Sequence, residues 1–335
     1  MLAALLVLAA ASLANAQPRH AHVHRHVHVR EASATASASS SSSTSSSDTF
    51  TDALAESSYD DFPDGTLSCS DGPPTKYGAI TVDYLDLAGW SGLQVLSSDY
   101  SEIESTGTSG DSCTSGMACS YSCAPGWQKL QWNSDQPDDG TTIGGLLCKD
   151  GLLYLANNNT QLCGQGNGLT YVENKASSGI SVCRTDYPGT EAETVPLDVS
   201  SGDTQPLTTP IEEEYFEWQG SYTSAQYYLN PIGTEADPGC SWDGNGDGNS
   251  GNSAPITIGA GQLDGTTWLS ISQNTPTTYN AYSGRVEISG DSLSGSCYYE
   301  NGEFCSDSGC TEHTVSGAGC TVSTTGTATF VISES

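Results

Sequence analysis

The chain has 335 residues, and 40 acidic side chains face 9 basic ones, a formal net charge of −31. Such acidity repels phosphate backbones and anionic membrane surfaces, which excludes nucleic acid as a partner and leaves neutral polysaccharide compatible. The one long apolar run, residues 2–13, is too short to cross a bilayer, so no membrane insertion is expected.

That run is followed by Ala14, Asn15 and Ala16, an A-x-A site. Residues 1–16 therefore read as a secretory signal peptide, and the mature protein as secreted. Residues 17–30 hold five of the six histidines, alternating at His20, His22, His24, His26 and His28. On an extended strand they would share one face and could chelate Cu(II), Ni(II) or Zn(II). The preferred reading is a pro-segment trimmed near Arg30, with no metal or other cofactor expected. Residues 31–61 are dominated by Ser, Thr and Ala. A segment so poor in apolar surface cannot offset its chain entropy, so it reads as a disordered, O-glycosylated stalk.

From Phe62 the composition turns to Gly, Thr, Tyr and Val in short alternating runs. Strands are predicted over 79–84, 152–155, 180–183, 215–218, 226–229, 267–271, 283–288 and 328–332. Turn words such as Asp150-Gly151 and Asn301-Gly302 separate them. No stretch keeps a helical period, so the expected fold is mainly β: a disulfide-rich β-sandwich type, as one domain or two packed β-domains. The acidic, Pro-containing stretch 188–214 reads as linker-like, with a sub-boundary near Thr204. All 12 cysteines lie between Cys69 and Cys320. In an exported chain they predict about six disulfides, of undetermined connectivity, in preference to a metal site.

Cys113, Cys119, Cys123 and Cys148 form the spacing C-x5-C-x3-C-x24-C. Around it stand the words FPDGTLSC, WNSDQP, GGLLCK, SVCRTDYPGTE and SGSCYYENGEF. Together these resemble the SUN family of secreted fungal cell-wall proteins, over residues 62–335. The resemblance implies location in the wall or septum, action on β-1,3-glucan, and a role in wall remodelling, septation and cell separation. It also implies classification among the glycoside hydrolases.

A glycosidase needs two carboxyls with separated pKa values in one cleft. The preferred pair is Asp135 and Asp186, each near a cysteine-anchored segment, with Asp83, Asp86 and Glu191 as weaker candidates. Each of these acids could equally cap a turn. Sugar rings stack on aromatic faces, which nominates Trp90, Trp127, Trp132, Tyr187, Trp218, Tyr227, Tyr228 and Trp242 for substrate binding. Core packing is the competing fate of each. Residues 243–249 open like an EF-hand loop, but the twelfth position is Ala254, so a flexible Gly/Asn loop is expected there. His313 stands alone in the folded part and no G-x-S-x-G occurs, which argues against a nucleophile triad. The sequon Asn158-Asn159-Thr160 predicts a solvent-facing, glycosylated loop at Asn158. Three readings stay open: a glucan hydrolase, a lectin-like glucan-binding protein, and a purely structural disulfide-hardened domain.

Overall fold

The computed structural model describes residues 58–185 and 193–335. The leader, the His-rich segment and the stalk up to residue 57 lie outside the described residues, as do Asp186, Tyr187 and Glu191. The fold is mainly β, as the alternating runs predict. Among the described residues, helix is confined to 3₁₀ turns and the single turn Ala236–Gly239.

The N-terminal part is built on a five-stranded antiparallel sheet. Its order is Ile103–Thr106, Gly92–Leu96, Met117–Ser120, Leu146–Lys149 and Leu152–Tyr154. Two short ladders flank it, Ala79–Ile80 with Ser122–Cys123 and Trp127–Lys129 with Cys163–Gln165. Asp150 and Gly151 both take positive φ, and their two-residue turn joins the last two strands as the Asp-Gly word predicts. Trp90, Tyr121, Trp127, Leu146, Leu153 and Leu162 fill the interior together with sulfur.

Disulfides join Cys69 to Cys148, Cys113 to Cys119 and Cys123 to Cys163. The four-cysteine spacing is therefore not self-contained, since two of its members pair outside it. The sulfurs of Cys69, Cys113 and Cys148 lie within 4.8 Å of one another. All three are consumed by disulfides, so they offer no thiolate to a metal.

The C-terminal part is a sandwich of two sheets. One orders Glu193–Val199, Ile180–Thr185, Ala225–Leu229, Ile256–Leu263, Thr266–Gln273 and Gly319–Thr324, all antiparallel. The other orders Thr204–Pro206, Thr170–Asn174, Ala328–Glu334, Gly284–Gly290, Cys297–Glu300, Glu303–Ser306 and Gly309–Glu312. Within the second sheet the first long strand, Thr170–Asn174, pairs in parallel with the last, Ala328–Glu334. Val182, Ile258, Leu269 and Ile271 from one sheet meet Val172, Val286, Phe330 and Ile332 from the other. Burying each such side chain contributes about 1.5–3 kcal/mol. Cys297 and Cys320 pin one sheet to the other.

Residues 193–199 and 204–207 of the stretch read as linker are part of this sandwich. Glu193–Val199 is the edge strand of the six-stranded sheet, and Leu197, Val199 and Leu207 are buried in the core. Pro196 misled the sequence reading, yet an edge strand tolerates proline because one side of its ladder is unpaired. Thr204 opens an edge strand of the other sheet. The change of hydrophobic core falls earlier, between Cys163 and Val172.

Replacing both Cys297 and Cys320 by serine opens a bridge of sequence separation 23 and should cost about 3 kcal/mol. Denaturant unfolding reads this as a lowered midpoint; an unchanged midpoint would show that the sheets need no such pin.

Candidate functional site

The N-terminal tryptophans nominated as sugar platforms are core residues. Trp90, Trp127 and Trp132 are 0%, 4% and 2% exposed, so none offers a free ring face. Trp132 is instead the centre of a seam between the two parts of the fold. It stacks on Phe216 at 4.1 Å and meets Tyr215 edge-on at 5.4 Å. The Lys129 ammonium lies 4.1 Å from the Trp132 ring centre and donates to the Ser120 hydroxyl. The Arg184 guanidinium lies 4.9 Å over Tyr215. Tyr227 is also buried, and its hydroxyl donates to the Thr208 carbonyl. Burial pushes the Tyr227 phenol above its ordinary pKa, although Arg184 and the Thr208 bond pull the other way.

Of the nominated acids, Asp83, Asp86 and Asp135 lie among the described residues. Asp135 is exposed on the loop after Trp132, and Asp83 and Asp86 are exposed around a 3₁₀ turn, where Asp86 accepts from Ser109 at 2.6 Å. Asp186, Tyr187 and Glu191 are outside the described residues. Trp218 is half-buried against Gly140, and Trp242 is exposed on the loop 241–253. Asn158 is exposed, as the sequon requires. A cavity of about 390 Å³ beside Leu67, Pro74 and Tyr77 has Asp71 as its only carboxyl.

A different arrangement of chemistry stands on the outer face of the six-stranded sheet. Along Ile256–Leu263, Ile256, Ile258 and Ala260 point into the sandwich core, so the two-residue period turns Thr257, Gly259 and Gly261 outward. Register then sets the outward rungs. Gly259 lies between Gln226 and Ser270, and Ser270 is opposite Thr321. Gly261 lies opposite Trp268, which is opposite Ser323. Both glycines are buried, so the side chains beside them close over their backbone. A Cβ on Gly259 would stand 2.6 Å from the Ser270 hydroxyl and 2.8 Å from the Gln226 amide nitrogen. On the next outward rung Thr257 and Ser272 share a hydroxyl–hydroxyl bond of 2.8 Å, and Tyr228 is half-buried on the same face.

Trp268 is 43% exposed while its neighbours Thr267 and Leu269 are buried, so its indole stands on the outer face. Among the described residues, the Gln226 amide, the Ser270 hydroxyl and the Trp268 N–H make no hydrogen bond within the protein. An aromatic platform beside an uncommitted amide and hydroxyl suits a ligand with C–H faces and hydroxyl edges.

Glu212 joins this face from the segment before the hairpin of Glu217–Trp218 and Ser221–Tyr222. The Gln262 N–H donates to the Pro210 carbonyl, and Ile211 bridges to Gln262, which lays that segment along the strand. The Glu212 carboxyl lies over Gly261: a Cβ there would stand 2.1 Å from its Oε1 and 2.8 Å from Ser224 Cβ. No hydrogen bond or ion pair holds this carboxyl among the described residues. Burial first, and the neighbouring Glu213 second, push its pKa up.

Among the described residues, Asp198 is the other carboxyl shifted upward. The residue is exposed by area, but its carboxyl is desolvated where it accepts from the Ala236 N–H, and Glu235 and Asp237 add repulsion.

Trp268 is the one tryptophan of six that the sequence reading left out, although the word Thr-Trp-Leu-Ser-Ile contains the signal. Leu269 and Ile271 inward require Trp268 outward. Glu212 was hidden in an acidic run that resembled linker.

A family model described as Beta-glucosidase (SUN family) matches residues 64–322. Similar proteins include "Secreted beta-glucosidase sun1" of Aspergillus fumigatus, 49% identical over 276 residues, which cover 81% of this chain and 65% of that protein. "Probable secreted beta-glucosidase C2G2.17c" of Schizosaccharomyces pombe is 45% identical over 267 residues, 79% of each chain. "Probable secreted beta-glucosidase UTH1" of Saccharomyces cerevisiae S288c is 44% identical over 276 residues, covering 81% of this chain and 70% of that one. The chain thus spans less than two thirds of the length of the Aspergillus relative. No solved structure matches.

An acid whose pKa is raised by folding binds its proton more tightly when folded. Its stabilising contribution is full below the ordinary glutamate pKa and falls as pH rises through the raised value. Glu212→Gln should therefore flatten the decline of the thermal midpoint with pH across that window. Parallel profiles for wild type and variant would contradict the upward shift.

Proposed function

Because the chain belongs to the SUN beta-glucosidase family, we propose that it is a secreted fungal wall protein that binds β-1,3-glucan and hydrolyses its glucosidic bonds. The biological setting of this reading is wall remodelling, septation and cell separation. The observation that carries it is the outer face around Gly259 and Gly261, with the exposed Trp268 and the uncommitted Gln226 and Ser270. An exposed aromatic on a sheet face suits a polymer that passes over the surface, where a closed pocket would take only a chain end. The names of the relatives, secreted beta-glucosidases, agree with a glucose polymer as ligand and with export. Among the described residues no helix is long and apolar enough to cross a membrane, and the net charge of −31 disfavours polyanionic partners.

A second reading, a lectin-like protein that binds glucan without cutting it, is favoured by one observation. Only Glu212 on this face has the raised pKa of a proton donor, and a glycosidase ordinarily uses two carboxyls.

Pull-down on insoluble β-1,3-glucan should weaken about 10-fold in Trp268→Ala, the loss of one stacked ring. Unchanged binding would remove Trp268 from the site. New reducing ends from laminarin support the hydrolase; intact binding without them selects the lectin-like reading.

A further inference from the structure

We propose that Glu212 is the proton donor for cleavage of the glucosidic bond on this face, with Trp268 holding a sugar ring one strand away. The assignment rests on the glucan-hydrolase reading above and is carried by geometry. The carboxyl lies on Gly261, and only a residue without a Cβ leaves room for it, since that atom would stand 2.1 Å from Oε1. Gly261 and Trp268 are directly paired, so the carboxyl and the indole occupy neighbouring positions of one face, at the spacing of adjacent strands, about 4.8 Å. A glucosyl ring is about that wide, so a sugar stacked on Trp268 brings a glycosidic oxygen over the Gly261 rung.

The surroundings suit a donor. No protein group accepts or donates at the Glu212 carboxyl among the described residues, which leaves its O–H for a ligand. Its neighbour Glu213 plays another part: it accepts the Asp264 N–H at 2.7 Å, which lowers its pKa. Two adjacent carboxyls thus have their pKa values driven apart, one up and one down, the separation that acid and carboxylate roles in glycoside cleavage require.

The step is a hydrolysis. The Glu212 O–H gives its proton to the glycosidic oxygen as the C1–O bond breaks, and the bonding pair leaves with that oxygen as an alcohol. Water adds to C1 and gives up one proton to solvent, and solvent returns a proton to Glu212. The net change is one glucosidic bond and one water consumed, and one new reducing end formed.

The test compares wild type with Glu212→Gln on two substrates: laminarin, whose leaving alcohol must be protonated, and 2,4-dinitrophenyl β-glucoside, whose phenolate leaves unaided. Glu212→Gln should lose laminarin cleavage by about 100-fold or more, keep cleavage of the dinitrophenyl substrate within a few-fold, and keep glucan binding. Gly261→Ala, whose methyl displaces the carboxyl, should show the same split and guards against a peculiarity of one variant. Wild-type laminarin cleavage by Glu212→Gln overturns the assignment alone, and so does an equal loss on both substrates. A wild-type chain that cleaves neither substrate overturns the hydrolase reading and the assignment with it.

Discussion

Side chains in a strand alternate, and in the strand Ile256–Leu263 that alternation decides the character of the site. Ile256, Ile258 and Ala260 must point inward, because the facing sheet offers Val286, Phe330 and Ile332 as partners. Gly259 and Gly261 are then turned outward with no freedom to do otherwise. A register slip of one residue would expose the isoleucines and turn the glycines inward. The core therefore fixes which residues face outward, and with them the one face that Gln226, Ser270, Trp268 and Glu212 share. The residues that hold the sandwich and those offered to the solvent are alternate members of one strand.

Glu212 depends on a second constraint, since it comes from a segment with little regular structure. That segment is held from both parts of the fold. The Gly126 N–H donates to the Thr208 hydroxyl, which donates to the Trp127 carbonyl, while the Tyr227 hydroxyl donates to the Thr208 carbonyl. Further on, Phe216 is stacked on Trp132, with Lys129 and Arg184 over neighbouring rings. A desolvated cation over an aromatic face contributes up to about 2 kcal/mol. The buried tryptophan thus acts at the site through position: it anchors the segment that lays Glu212 on Gly261.

What was legible in the sequence follows from how local each determinant is. Two-residue turns with positive φ at Asp150-Gly151 and Asn301-Gly302 are written in the dipeptide itself, so those hairpins could be read. The pairing of Cys148 with Cys69, 79 residues away, is set by which loops meet and leaves no trace in spacing. Tryptophan is ambiguous by chemistry, since the same ring fills a core or a sugar subsite. Trp90, Trp127 and Trp132 took the first fate, and Trp268 was separable only by the inward demand of Leu269 and Ile271. The acidic stretch before Tyr215 looked like linker because its charge faces outward while Leu197, Val199 and Leu207 face the core.

The decisive measurement is a crystal structure of the protein with a β-1,3-linked glucose hexasaccharide. One glucosyl ring is expected flat on the Trp268 indole, its neighbour over Gly259 and Gly261, and a glycosidic oxygen within hydrogen-bond reach of Glu212. Saccharide bound at Trp242 or in the N-terminal part, with Trp268 bare, would contradict it.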